Sequence, residues 1–217
     1  MIATKVGPHD VSGEFVEHEE HGVCFEETWR RDNKVDRDGG PAVTRRSLST
    51  GELIFIRYMR NGKEFRRDGP STIEIDTGSR IEWFKSDSVC GNEDGIFMRI
   101  TDLETGMLIG ISHVREDGLG HKTEGPAVWH RDPDTGVLIY EEYCLDGEQH
   151  RLDGAAYIER SKDTGITTLE EYRVHGQLHR SDGPALIERD PITGQITHTE
   201  NHGYSPAQDL PKDDLTP

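Results

Sequence analysis

The 217-residue chain predicts an all-β fold: a repeat array of about six antiparallel β-hairpins forming an extended, twisted or curled meander sheet. Three landmarks in register predict it. A short phrase returns as HKTEGPA at His121–Ala127, HRLDGAA at His150–Ala156 and HRSDGPA at His179–Ala185, with its glycines Gly125, Gly154 and Gly183 spaced by 29 residues. Shorter copies stand upstream at Arg66–Pro70 and Arg37–Ala42. A Thr-Gly pair recurs at Gly51, Gly78, Gly106, Gly136, Gly165 and Gly194, with spacings of 27, 28, 30, 29 and 29 residues. An aromatic column runs through Trp29, Tyr58, Trp83, Tyr143 and Tyr172, with Val114 in the same register. A fixed period of this length marks a repeat architecture, in which each unit buries its apolar side chains against its neighbours.

Each element follows from local chemistry, most clearly between Gly154 and Gly183. Ala155–Arg160 is short, apolar and aromatic, which suits a strand. Lys162-Asp163-Thr164-Gly165 supplies an acidic side chain for the turn backbone and a glycine for positive φ, the pattern of a type I turn closed by a glycine bulge. The chain returns through Ile166–Val174, rich in β-branched residues, and meets a second tight turn at His175-Gly176. A third turn at Asp182-Gly183 leads to Pro184, which begins the next strand where its missing N–H does least harm. Gly and Pro recur too often for an amphipathic helix. In the weak third copy Asp94-Gly95 stands in for the DGP turn and Val89–Gly91 interrupts the connector. The domain organisation expected is an acidic N-terminal extension (1–21), the hairpin array (22–203) and a proline-interrupted flexible tail (204–217).

Composition narrows the function classes. Hydrophobic residues make up 32% of the chain and charged residues 31%, too little apolar side chain for a deep globular core but sufficient for a thin array. The net charge of −17 argues against direct binding to nucleic acid or anionic membrane, and steers the chain toward a basic protein partner. There is no apolar leader-like segment and no long apolar run. The three cysteines, Cys24, Cys90 and Cys144, have neither metal nor redox spacing, so a reducing cytoplasm is the expected location.

The residues that invite a catalytic or metal reading fall into the repeat. His121, His150 and His179 occur once per copy, and equivalent positions on successive hairpins lie about 10 Å apart, too far to share an ion. The following basic residues (Arg37, Arg66, Lys122, Arg151, Arg180) are expected to pair with the acid before the turn glycine (Asp68, Glu124, Asp153, Asp182). His18-Glu19-Glu20-His21 has its histidines three apart, not the four of a zinc-protease helix. No nucleophile–base order, phosphate loop or isolated carboxylate pair stands out, so neither enzymatic activity nor a cofactor is expected.

Glu26-Glu27, Glu141-Glu142 and Glu170-Glu171 each precede an aromatic of the column. Asp10–Glu27 holds seven acids and no Lys or Arg. Glu17, Glu19, Glu20, Glu26, Glu27, Trp29, Glu141, Glu142, Glu170 and Glu171 are therefore the candidate partner-binding residues, an acidic and aromatic face for a basic protein.

An aromatic, a turn such as LDGEQ or VHGQL, then HRxDGPA resembles the MORN-like β-hairpin repeats, over about residues 25–203. Asn61-Gly62-Lys63 with Arg67-Asp68-Gly69-Pro70, and His179–Ala185, are similar to the bacterial and viral NGK-x-HRxDGPA variety and to YwqK-type antitoxin repeats. The period is longer than that of the eukaryotic MORN unit, and the paired Gly-x-Gly is missing. The resemblance implies a protein-interaction module, in some relatives an antitoxin or immunity protein. The expected function is thus non-enzymatic protein binding, with an immunity-like inhibitor of a basic toxin or nuclease as the sharper form. The alternative is a structural scaffold that organises several partners or self-associates through exposed strand edges.

Overall fold

The structure is a computed structural model that describes residues 4–6, 14–86, 89–91 and 95–202. The expected tail at 204–217 and Asp94 lie outside the described residues. The first part contains β1 (Thr4–Val6), β2 (Glu14–His21), β3 (Cys24–Arg31), β4 (Lys34–Val35), β5 (Val43–Ser47), β6 (Leu53–Arg57), β7 (Met59–Arg60) and β8 (Lys63–Glu64). The middle contains β9 (Thr72–Asp76), β10 (Ser79–Trp83), β11 (Lys85–Ser86), β12 (Val89–Cys90), β13 (Ile96–Asp102) and β14 (Leu108–His113). The last part contains β15 (Val128–Arg131), β16 (Leu138–Glu142), β17 (Cys144–Leu145), β18 (Glu148–Gln149), β19 (Tyr157–Arg160), β20 (Thr167–Glu171), β21 (Arg173–Val174), β22 (Gln177–Leu178), β23 (Leu186–Arg189) and β24 (Ile196–Glu200).

The long strands form one antiparallel meander in the order β1-β2-β3-β5-β6-β9-β10-β13-β14-β15-β16-β19-β20-β23-β24, open rather than closed into a barrel. Sequential neighbours pair throughout, as short hairpin connections require. The sheet begins before residue 22. Glu14–His21, assigned from sequence to the extension, pair residue for residue with Cys24–Arg31 across a turn at Gly22.

Two turn types recur through the described copies. At the Thr-Gly ends, Asp102, Asp132 and Asp190 accept bonds from the backbone N–H of Thr105, Thr135 and Thr193 at 2.8, 2.8 and 2.7 Å. The following glycines hold φ of 70 to 73°, and the register shifts by a residue beside each of these turns. This is the bulged turn read from the sequence. The third copy departs: Asp76 and Ser79 pair directly across Thr77-Gly78, a shorter loop that accounts for the reduced spacing. The connectors fold into small two-stranded hairpins, β7-β8, β11-β12, β17-β18 and β21-β22, with β4 playing the same part against the end of β3. Their turns, Asn61-Gly62, Asp146-Gly147 and His175-Gly176, have both central residues at positive φ, the type I′ geometry that matches strand twist. Val89–Cys90, read as an interruption, completes one of these small hairpins.

Most of the core is a thin layer on the aromatic-column face, with Val43, Phe55 and Thr72 buried on the other. Ala42, Ala127, Ala156 and Ala185, the last residue of each phrase, are 0% exposed, as is Ser71 in the same place. Their carbonyls accept the N–H of Trp29, His113, Tyr143, Tyr172 and, for Ser71, Tyr58. Phe84 N–H donates the equivalent bond to the Phe97 carbonyl. The aromatic column therefore runs Trp29, Tyr58, Phe84, His113, Tyr143, Tyr172, and two positions of the expected column are corrected. Trp83 is one residue short and, by strand alternation, faces the opposite side. Val114 lies one residue beyond, because the connector Arg115–Leu119 carries an extra residue and closes through an isolated Val114–Gly120 bridge.

Candidate functional site

The recurring phrase is a clamp between hairpins. Arg37, Arg66, Arg151 and Arg180 lie over the rings of Trp29, Tyr58, Tyr143 and Tyr172, with guanidinium carbons 4.1, 4.0, 3.9 and 3.9 Å from the ring centres. Each also donates to the carbonyl four residues on, at Pro41, Pro70, Ala155 and Pro184. The glycine of the phrase makes this approach feasible. A Cβ at Gly154 or Gly183 would stand 2.9 or 3.3 Å from the guanidinium carbon, and neither glycine has positive φ. Absence of a side chain, not turn geometry, explains them. The expected Arg–Asp pairs form at Arg151–Asp153 (2.7 Å) and Arg180–Asp182 (2.8 Å). Asp38 instead turns to Arg31 and Arg60.

The repeat histidines brace the next copy. His121 Nδ1 accepts the N–H of Asp146, and His150 Nδ1 accepts that of His175, each at 3.2 Å; Asp36 serves Asn61 in the same way. The contact is to a turn N–H of the following hairpin. Among the described residues no three His, Cys, Asp or Glu side chains converge as a metal site. His18–His21 lie on β2, with His18 stacked on Phe25 at 5.3 Å.

The expected partner-binding glutamates are divided between the two faces, and most are engaged within the sheet. Cross-strand register threads Glu27, Glu82, Glu141 and Glu170 into one row with Ile73, Ile111, Ile158 and Ile187. Glu26, Glu142 and Glu171 face the other way. Glu141 meets Arg160 at 2.6 Å, Glu170 meets Arg189 at 2.6 Å, and Glu26 meets Arg45 at 2.7 Å. Glu171 pairs with Arg173, and Glu142 accepts from Tyr140 and Gln149. Glu17 binds Arg30, Glu19 lies 3.3 Å from His21, and Glu27 accepts from Thr44. Trp29 sits under Arg37, and Glu20 is exposed. Burial pushes Glu82 upward in pKa, but bonds from Arg99 and Arg80 outweigh it and hold the carboxyl below its usual range. Burial, then the Glu141 charge, raises the Tyr143 hydroxyl, which stays protonated and donates to Glu141.

The Thr-Gly loop edge also carries exposed acid. Glu52, Asp76, Glu104, Asp134 and Asp163 are exposed there, Asp163 paired with Lys162 at 3.0 Å, while Arg46 and Arg131 reach the loop carbonyls of Gly51 and Gly136. Exposed aliphatic side chains accompany them: Val23 at 80%, Leu48 at 48%, Leu103 at 47% and Ile192 at 77%. Neighbouring loops are laced together, Leu48 N–H to Val23 (2.9 Å), Leu103 N–H to Gly78 (2.8 Å) and Thr164 Oγ1 to Pro191 (2.7 Å). Sequence reasoning passed over this edge because its glycines were read as repeat. The signal was the variable pair before each Thr-Gly, where Leu48, Leu103 and Ile192 place large apolar groups in a turn. No protein-family model and no curated protein matches the chain.

Proposed function

We propose that this chain is a non-enzymatic protein-binding repeat protein that docks a basic protein surface along its Thr-Gly loop edge. The observation that carries the reading is the edge itself: exposed carboxylates beside exposed aliphatic side chains, on loops pinned to one another. Pre-organised loops cost little ordering entropy on binding, and the carboxylates steer a basic partner. The sheet's own glutamates contribute less, because Arg, Tyr and Thr side chains already engage them. An immunity- or antitoxin-like inhibitor, covering a toxin or nuclease surface, is the specific form of this proposal, and it asks no chemistry of the chain.

The test is isolation of the complex followed by association kinetics. One basic protein is expected at fixed stoichiometry, with association slowing as salt rises. Glu104→Lys combined with Asp134→Lys should slow association by about tenfold, whereas Glu124→Lys, exposed on the opposite edge, should not. Equal rates for the two variants would reject the loop edge. A second reading, a self-assembling scaffold, is favoured by one observation: β24 ends the hydrogen-bonded order among the described residues, with Ile196 60% exposed. Sedimentation that shifts with protein concentration would support it over the first.

A further inference from the structure

The sheet face opposite the aromatic column carries a second feature, independent of the loop edge. Arg57, Thr72 and Trp83 stand side by side on β6, β9 and β10 as direct cross-strand partners. They floor a groove of about 240 Å³, completed by Phe55, Glu74 and, from the connectors, Glu64 and Lys85. Thr72 is 4% exposed, and its hydroxyl has no hydrogen-bond partner. A buried hydroxyl without a partner is costly, and a ligand that bonds it recovers that cost.

The lining defines the ligand class. Arg57 and Lys85 are donors and Glu64 and Glu74 acceptors, so the groove's formal charges cancel. Glu64 lies 3.2 Å from Arg57 and 3.6 Å from Lys85, an arrangement a charged ligand would have to break. A neutral ligand whose every polar group both donates and accepts can bridge the pair without breaking it. Trp83 offers a flat, half-buried ring, and Phe55, 6% exposed, closes the floor between Arg45 and Arg57. The volume suits one six-membered ring, below the usual range for drug-sized ligands. We infer that this groove binds a neutral pyranose unit, its apolar face on Trp83 and one hydroxyl bonded to Thr72.

The test uses the full chain and a panel of methyl β-D-glucopyranoside, methyl β-D-galactopyranoside and N-acetylglucosamine, with N-acetylaspartate as the charged comparison, followed by saturation-transfer NMR. At least one should bind with a dissociation constant in the millimolar range, as a ligand of about a dozen heavy atoms in an open groove allows. Thr72→Val keeps the shape and removes only the hydroxyl. It should weaken binding at least about fivefold while leaving the melting temperature unchanged or higher, because the hydroxyl bonds nothing in the free protein. Trp83→Leu should weaken binding further; if that variant fails to fold, Thr72→Val alone decides. A panel with no bound pyranoside, a Thr72→Val protein that binds as tightly as the parent, or preferential binding of N-acetylaspartate overturns the assignment.

Discussion

The two connectors that follow Tyr143 and Tyr172 differ instructively from the one that follows His113. In the first two, an Arg lies over a Tyr, a glycine receives the guanidinium, and a Glu two residues before the Tyr is held by Arg160 or Arg189. Around His113 all three parts change together. Lys122 replaces the Arg, Ile111 replaces the Glu, and His113 Nδ1 approaches the Ala127 carbonyl at 3.2 Å. Past the extra residue of this connector the backbone nevertheless rejoins the common path: Lys122 N–H still reaches Cys144, as Arg151 N–H reaches Arg173. The backbone framework and the buried alanine thus set the fold, while the Arg–aromatic clamp is a tunable addition.

The largest effect should come from the part both regions share. Ala156→Leu and Ala127→Leu each force a side chain into a site with no exposure, and each should cost about 1–3 kcal/mol in denaturant unfolding. A cost confined to one of the two would break the claim that the buried alanine is shared by both regions.

Gly154→Ala separates the regions. A Cβ there would displace Arg151 from Tyr143, whereas Gly125 has nothing within 4 Å of its added Cβ but holds φ at 82°. Both changes should therefore destabilise, by roughly 1 kcal/mol, for different reasons. Adding Arg151→Met should abolish most of the Gly154→Ala cost, because the clash partner is gone. Arg180→Met alone should cost about 0.5–1 kcal/mol through the lost ring contact, and Lys122→Met measurably less.

The smallest effect is one of pH. Side-chain and backbone bonds from Thr105 hold Asp102 below its ordinary carboxyl pKa, and those from Thr135 and Thr193 do the same for Asp132 and Asp190. A lowered folded-state pKa means the unfolded chain takes up protons first. The contribution is complete above the ordinary Asp value of 3.8 and is lost as pH falls through the folded-state value. Amide shifts of Thr135 should titrate in that acidic window, whereas Thr50, whose N–H is bonded by the Ser47 hydroxyl, should not.

The period, the bulged Thr-Gly turn, the tight connector turns and the antiparallel meander were legible from sequence because glycines and Asp-x-x-Thr-Gly strings are local, whereas whether the sheet stays open was not. The aromatic column was legible only in part. Trp83 and Phe84 are adjacent aromatics, and a slip of one residue exchanges the faces of a strand. The extra residue before Gly120 hid His113 behind Val114 in the same way. The pairing of the glutamates was not legible because their partners arrive from the next copy: Arg45, Arg160 and Arg189 each follow their Glu by 19 residues, a second regularity in the chain. The groove at Thr72 was invisible, since it depends on cross-strand register that brings Arg57, Thr72 and Trp83 side by side and on Glu64 and Lys85 from the connectors.

A double-mutant cycle on Tyr143 and Arg151, using Tyr143→Leu and Arg151→Met with urea unfolding of the full chain, tests the clamp most directly. A coupling of about 0.5–1 kcal/mol between the two sites is the expected result. Additive losses, with no coupling, would contradict the account and return the phrase to a set of independent turn residues.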